Sequence, residues 1–250
     1  MRGRSSGRET GAGMAAEALL YDLTDSPFCM KARICLQLKG VPFRRVTRTV
    51  DRVAEVRRLN PLGKVPVLVH GDDVVVDSSA IVRWLEDRYP EPALLPADPA
   101  ARAYCDLIEE WADEALYFVM GGFKWLNPRN RAAGLASTME ELGGGLLRPL
   151  YARLHVRQMS RRYRAWGYGP DALDVLQQRM RDNLATLETL LDQRAFLLGR
   201  QGTVADVAVF AQLVWLRGFD EVRLLDDVPR VARWLERMEQ NPAVAAALAA

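Results

Sequence analysis

Residues 19–40, LLYDLTDSPFCMKARICLQLKG, carry two elements and the turn between them. Leu19 to Leu23 is a short apolar run, which predicts a strand. Asp25-Ser26-Pro27 then marks a helix start. Proline tolerates the first helical position, and a hydroxyl before it can cap the free N–H groups. The helix is expected from Pro27 to about Lys39, with Gly40 ending it.

The same logic extends along the chain. Phe43 to Thr47 reads as a second strand. Val53, Val56 and Leu59, at three-residue spacing, predict a short helix over Asp51 to Leu59. The turn Asn60-Pro61-Leu62-Gly63 follows. Val65 to Val69 and Val74 to Val76 read as strands around the hairpin residues Gly71-Asp72-Asp73. Ser78 to Tyr89 is expected to be helical and is stopped by Pro90. The order β-α-β-α-β-β-α is a compact α/β unit.

Pro90, Pro92, Pro96 and Pro99 then form a linker, beyond which strand signals fade. Tyr104, Leu107, Ile108, Trp111, Ala115 and Phe118 repeat at three and four residues, one face of a long helix. Leu173 to Leu191 repeats similarly. Val204 to Trp215 is apolar almost all round, as in a helix at a domain centre. Val228 to Met238 and Ala243 to Leu248 close the chain. An α/β domain over 19–95 and an all-helical domain over 96–250 are therefore expected, after a flexible tail over 1–18.

Gly121 to Pro170 is expected to be irregular. It holds Gly143-Gly144-Gly145, and then six arginines without an acid between Arg148 and Arg164. That stretch reads as a solvated face on a connection, or as an anion or partner contact.

Composition narrows the classes. The 250 residues are 49% hydrophobic and 26% charged, which excludes a disordered chain or a disulfide mini-protein. A net charge of +2 is too near balance for electrostatics to imply nucleic acid. No stretch approaches the roughly 18 apolar residues of a membrane span. Three cysteines, Cys29, Cys35 and Cys105, are an odd number, and the first two share one helix. A reducing, cytoplasmic setting is expected. His70 and His155 are too few for a histidine metal cluster.

Three short motifs can carry chemistry. The Ser26 hydroxyl stands where a helix begins, and the macrodipole there favours negative charge. A thiolate placed beside it gains twice, from the hydroxyl and from the dipole. A shift of roughly two units would leave a thiol of pKa near 9 about half ionised at neutral pH, against about one per cent without it. Taken alone, Ser26 could equally be a plain cap. In Asn60–Leu68, a cis Val65–Pro66 bond would turn the Val65 backbone groups towards an extended peptide; an edge-strand proline is the alternative. In Asp77-Ser78-Ser79, Ser78 and the helix amides suit a carboxylate and Asp77 an ammonium, beyond a capping role.

Together these pieces resemble the glutathione transferase superfamily. SPFCMKARICLQLKGVPF is similar to the first helix and following strand of its serine-type, tau- and zeta-like classes. NPLGKVPVLV resembles its cis-proline segment, and DSSAIVRWLEDRYP its γ-glutamyl segment, with Asp77 where Glu is commoner. FLLGRQGTVADVAVFAQL resembles its capping box, with Thr203 capping and Asp206 reaching back.

The resemblance implies a thioredoxin-like α/β domain joined to an all-α domain. It implies glutathione as co-substrate, no metal, no membrane, no nucleic acid, and a homodimer acting on a small hydrophobic electrophile. Ser26 is then the catalytic residue that stabilises the glutathione thiolate. Lys64 contacts a carboxylate, the Val65 backbone next to Pro66 pairs with the cysteinyl unit, and Asp77 and Ser78 hold the γ-glutamyl group. Phe28 belongs with these contacts. Tyr104, Trp111 and Phe118, with Tyr117, Phe123 and Trp125, are candidates for an acceptor pocket or for core packing. Ser26-Pro27-Phe28-Cys29 has the spacing of a redox C-x-x-C motif with its first Cys replaced. Cys29 therefore reads as a small core residue or as a one-thiol redox centre. Two rival readings stay open: a Cys29 oxidoreductase, and a non-catalytic binding or scaffold protein of the same fold.

Overall fold

Four strands form one mixed sheet in the order β2-β1-β3-β4: β1 (Ala18–Asp22), β2 (Phe43–Thr47), β3 (Val67–His70) and β4 (Asp73–Val76). They belong to a computed structural model that describes residues 17–132, 135, 148–168 and 172–249. β1 runs parallel to β2 and antiparallel to β3, and β3 and β4 form the hairpin. Its turn is tighter than the sequence suggested. His70 pairs with Asp73, leaving only Gly71 and Asp72 between them, with Gly71 at φ +60° where a side chain would be strained. Val65 and Pro66 precede the paired part of β3 instead of opening the strand. β1 starts at Ala18, which is buried, so the expected tail is shorter at that end; residues 1–16 lie outside the described residues.

Period-2 alternation divides β1 between two cores. Ala18 and Leu20 join the main core with α1 (Pro27–Leu38) and α3 (Ser78–Arg88). Tyr21 faces the other way, with Val46, Val67 and Val56 of α2 (Val53–Leu59). α1 is buried from Cys29 to Leu36, because it also packs against α8 (Val204–Leu213) and α10 (Pro242–Ala249) of the helical part.

The long helix predicted around Tyr104 is real but interrupted. α4 (Pro99–Trp111) passes through a π-helical turn, Ala112–Leu116, into α5 (Tyr117–Leu126). Its buried face is Cys105, Glu109, Ala112, Leu116, Val119 and Phe123. Tyr104 and Leu107 are 64% and 67% exposed, so the apolar stripe read from the sequence is offset from the true core face. Glu109 hid that face, being an acid at a buried position.

Gly121–Pro170 is largely helical where it is described, contrary to the irregular connection expected. α5 continues to Leu126, and α6 (Arg148–Ala165) carries the arginines; Gly143–Gly145 lie outside the described residues. Gly122 allows α5 to approach α7 (Ala172–Leu190): a Cβ there would sit 2.4 Å from Leu176.

At the centre, Thr203 and Asp206 form the capping box of α8. The Asp206 carboxylate, 0% exposed, accepts from Leu197 N–H (2.8 Å), Thr203 N–H (2.9 Å) and the Trp234 indole N–H (3.0 Å). Asp206→Ala would orphan three donors, each costing about 1–3 kcal/mol when buried. Urea unfolding is expected to show a loss of at least about 3 kcal/mol; a loss below about 1 would show that the box is dispensable.

Candidate active site

One rung of the sheet aligns the three motifs. Tyr21 pairs with Val67, and Val67 with Val76. The chain leaves β1 just after Tyr21 towards Ser26, enters β3 just before Val67 from Val65–Pro66, and leaves β4 at Val76 towards Asp77 and Ser78. Motifs from positions 26, 65 and 78 therefore meet at one edge of the sheet, with the N-termini of α1 and α3.

Ser26 is the N-cap of α1, with extended backbone (φ −92°, ψ 119°), and its Oγ accepts from Cys29 N–H at 3.4 Å. A hydroxyl carries one donor and two acceptor sites. Capping uses an acceptor site and leaves the O–H as a donor on a half-buried side chain, which also lies within hydrogen-bonding reach of the Cys29 thiol. The capping role and the chemical role are thus compatible in one side chain.

The turn before Ser26 is held by residues to which the sequence assigned no role. Buried Arg33 donates from Nη1 to Asp22 (2.9 and 3.2 Å) and from Nη2 to the Thr24 carbonyl (3.0 Å). Arg45 pairs with the same Asp22. Asp25 is tied to Lys124 of α5 at 2.5 Å. The signal available was a pair of cations, Lys31 and Arg33, inside an otherwise apolar helix; buried charges demand partners.

Cys29 is 0% exposed. Burial, reinforced by the Asp22 charge, pushes its thiol well above the ordinary thiol range. That environment suits a small core residue and disfavours a thiolate.

The Val65–Pro66 bond is cis. The turn before it is fixed by buried Asn60, whose Nδ2 donates to the Lys64 carbonyl (2.9 Å) and whose Oδ1 accepts from Leu62 N–H (3.1 Å). Lys64 itself is exposed and Val65 half-buried.

Asp77 caps α3 through Ser79 N–H (2.8 Å) and Ala80 N–H (3.3 Å) from a backbone at φ +85°, which only a few non-glycine residues adopt. Ser78, beside it, is 1% exposed, and its Oγ has no partner. A buried hydroxyl without a partner at a helix N-terminus is a ready acceptor or donor for an arriving polar group.

Beneath this corner lies a buried charge cluster that joins α1, α3 and α4. Lys31 Nζ reaches Glu109 (2.8 Å), Asp113 (2.5 Å) and Ser79 Oγ (3.0 Å). Ser79 Oγ also donates to Glu109 at 2.8 Å. Burial raises the Asp113 carboxyl to about 6; Lys31 pulls it down, while Glu109 and Asp77 push it further up. Asp113 sits in the π-helical turn, a distortion that often marks functional sites.

The aromatic candidates separate. Phe28 meets Tyr117, with ring centroids 4.9 Å apart, so Tyr117 stands beside the Ser26 turn. Phe118 instead packs among Tyr163, Trp166 and Tyr168, with centroids 4.9–5.0 Å away. Phe123 and Trp125 are buried, Trp111 packs half-buried against the main core, and Tyr104 is exposed on α4. His155 of α6 lies edge-on to Trp125 (4.9 Å).

Comparison with known proteins agrees with this fold. Residues 20–93 match the family described as glutathione S-transferase, N-terminal domain, and residues 170–237 its C-terminal domain. Glutathione S-transferase 1 of Dianthus caryophyllus is 46% identical over 90 residues, 34% of this chain and 40% of that protein. Maleylacetoacetate isomerase of Pseudomonas aeruginosa is 28% identical over 232 residues, 90% of this chain and 92% of that protein. Protein LigF of Sphingobium is 25% identical over 238 residues, 90% of each chain. Its crystal structure, titled a beta-etherase, has the same fold, with a TM-score of 0.72 at 23% identity over 93% of this chain and 98% of that one. With both domains matched, together over more than half of its length, and a thioredoxin-like sheet followed by helices, the chain belongs to the glutathione S-transferase superfamily.

Proposed function

We propose that this chain binds glutathione along the edge defined by the Tyr21–Val67–Val76 rung and uses Ser26 to hold its sulfur as a thiolate. The observation that carries the reading is the alignment on one rung of a helix-capping hydroxyl, the unpaired Val65 segment and the buried, partnerless Ser78 hydroxyl. The γ-glutamyl carboxylate takes Ser78 and the α3 amides, and its ammonium takes Asp77. The cysteinyl unit pairs with the Val65 backbone, and Lys64 meets the glycyl carboxylate.

The Ser26 O–H then donates to the sulfur, and the α1 dipole adds to the stabilisation of the anion. The thiolate attacks an electrophilic carbon beside Phe28 and Tyr117. A sulfur–carbon bond forms, and the leaving group departs with its electron pair or an adjacent multiple bond takes up the charge. The protein supplies proximity and a preorganised environment for the anion. The isomerase relative fits the same thiolate, which could add to a conjugated double bond and leave again. Cys29, buried with a raised pKa, does not support the oxidoreductase alternative.

A glutathione titration tests the binding step. Glutathione at 100 times its Kd is expected to add about 2.7 kcal/mol to stability. Ser78→Ala is expected to weaken binding about tenfold, the equivalent of one lost hydrogen bond of roughly 1.4 kcal/mol. No saturable binding by the wild type would leave the non-catalytic scaffold as the surviving reading.

The exposed apolar pair on α4, Tyr104 and Leu107, supports a homodimer through that helix. Sedimentation of Tyr104→Glu/Leu107→Glu should show a monomer where the wild type sediments as a dimer. An unchanged dimer would place the interface elsewhere. Three buried free cysteines are consistent with a reducing, cytoplasmic setting. No helix among the described residues is long and apolar enough to cross a membrane.

A further inference from the structure

Far from Ser26 in sequence, the turn after α7 and the outer face of α9 (Pro229–Gln240) enclose a surface cavity of about 210 Å³. Its walls are Leu191, Gln193, Arg194, Arg230, Arg233 and Arg237. Four of the six are arginines. α9 is amphipathic: Val231, Trp234, Leu235 and Met238 are buried, which turns Arg230, Arg233 and Arg237 outward together. Arg194 faces them from the turn, where Gln193 holds a left-handed backbone at φ +55°.

The guanidinium groups are largely pinned in place. Arg237 Nη1 donates to the Ala195 carbonyl (2.6 Å) and lies over the Phe196 ring. Arg194 Nη1 donates to the Leu197 carbonyl (3.3 Å). Arg230 spans Glu188 and Asp192, each at 3.1 Å. Among the described residues no carboxylate pairs with Arg194, Arg233 or Arg237. Four cations against two acids leave two positive charges around one cavity. Anchoring three of the four forks in advance lowers the ordering cost of binding an anion, and a planar fork matches phosphate oxygens two at a time. The cavity is many times the size needed to hold one water, so a small polyanion has room in it.

We infer that this arginine-lined cavity is a second binding site, for a phosphate-bearing small molecule, separate from the glutathione edge. Its ligand is either free polyphosphate or a phosphoryl group on a small organic carrier.

Calorimetric titration of the full chain with sodium pyrophosphate, at low and constant ionic strength set with chloride, tests the site. Saturable one-to-one binding is expected, weakening as salt rises. Arg233→Gln is expected to raise the dissociation constant at least about tenfold, the effect of one charge-assisted contact. Among the described residues that side chain holds no carboxylate, so its loss leaves the fold intact. Arg237→Gln is expected to weaken binding similarly, and glutathione affinity should stay unchanged in both variants. A parallel titration with adenosine 5′-diphosphate separates the sources: tighter binding than pyrophosphate assigns an organic carrier, and equal or weaker binding assigns free polyphosphate. Absence of saturable pyrophosphate binding, an unchanged constant in Arg233→Gln, or competition by glutathione would each overturn the second site.

Discussion

Ser26→Ala is expected to lower kcat/KM for glutathione conjugation by about 10²–10³-fold, the usual effect of removing one donor aimed at a reacting anion. The loss should fall on kcat. Lys64, Val65, Asp77 and Ser78 are untouched, so binding of the tripeptide should be largely kept. Ser26 also caps α1 through Cys29 N–H, and losing a cap costs about 1 kcal/mol of stability. Circular dichroism should therefore show a folded variant. Cys29→Ala is the matched comparison. A thiol that is fully buried and pushed above the thiol range takes no part, so activity should stay within about twofold of wild type, the level at which a mutation touches no transition-state contact. The reverse pattern, with Cys29→Ala inactive and Ser26→Ala active, would transfer the chemistry to Cys29.

Lys31→Met is expected to give a large loss of stability, and one that depends on pH. Lys31 is the cation facing Glu109 and Asp113 in a buried cluster that joins the two domains. Removing one partner of a buried pair typically costs about 3–5 kcal/mol, because the remaining charges are left without compensation. The pH dependence carries a sign. Asp113 already has a folded pKa raised to about 6. A carboxyl raised in the folded state contributes stability below its unfolded pKa and loses it as pH rises through the folded value. Without Lys31, which pulls that value down, the folded pKa of Asp113 must climb further. The deficit of Lys31→Met relative to wild type should therefore grow from pH 5 to pH 8 and shrink on acidification. Denaturant melts across that range check it. A deficit independent of pH would mean that the ammonium acts through packing alone.

The N-terminal elements were legible because the chain punctuates them locally. Ser26-Pro27 opens α1, Gly40 follows its end, Gly71-Asp72 makes the hairpin, and Pro90 follows α3. Strand bounds still slipped by a residue or two, since pairing across the sheet, and not local composition, decides that Val65 and Pro66 stay outside β3. The α4 face escapes the sequence for a different reason. Lys31 stands 78 residues before Glu109, and nothing local to α4 announces a buried acid or a π-helical turn. The exposed pair Tyr104 and Leu107 supplied a competing apolar stripe. α6 lacked a legible signal because arginines interrupt it throughout and its apolar residues, among them Leu150, Leu154, Val156 and Met159, gather on no single face. In the candidate site, Ser26, Val65–Pro66, Asp77 and Ser78 were readable as motifs. Their supports, Asp22, Arg33 and Lys124, were not, because each acts through a partner brought near only by the fold.

The most direct measurement is the pH titration of enzyme-bound glutathione, followed by the ultraviolet absorbance of its ionised sulfur, in wild type and in Ser26→Ala. A wild-type midpoint about two units below the free thiol, returning close to the free value in the variant, is the expected result. A wild-type midpoint equal to that of free glutathione, or a depressed midpoint that survives the loss of the hydroxyl, would contradict the assignment of Ser26.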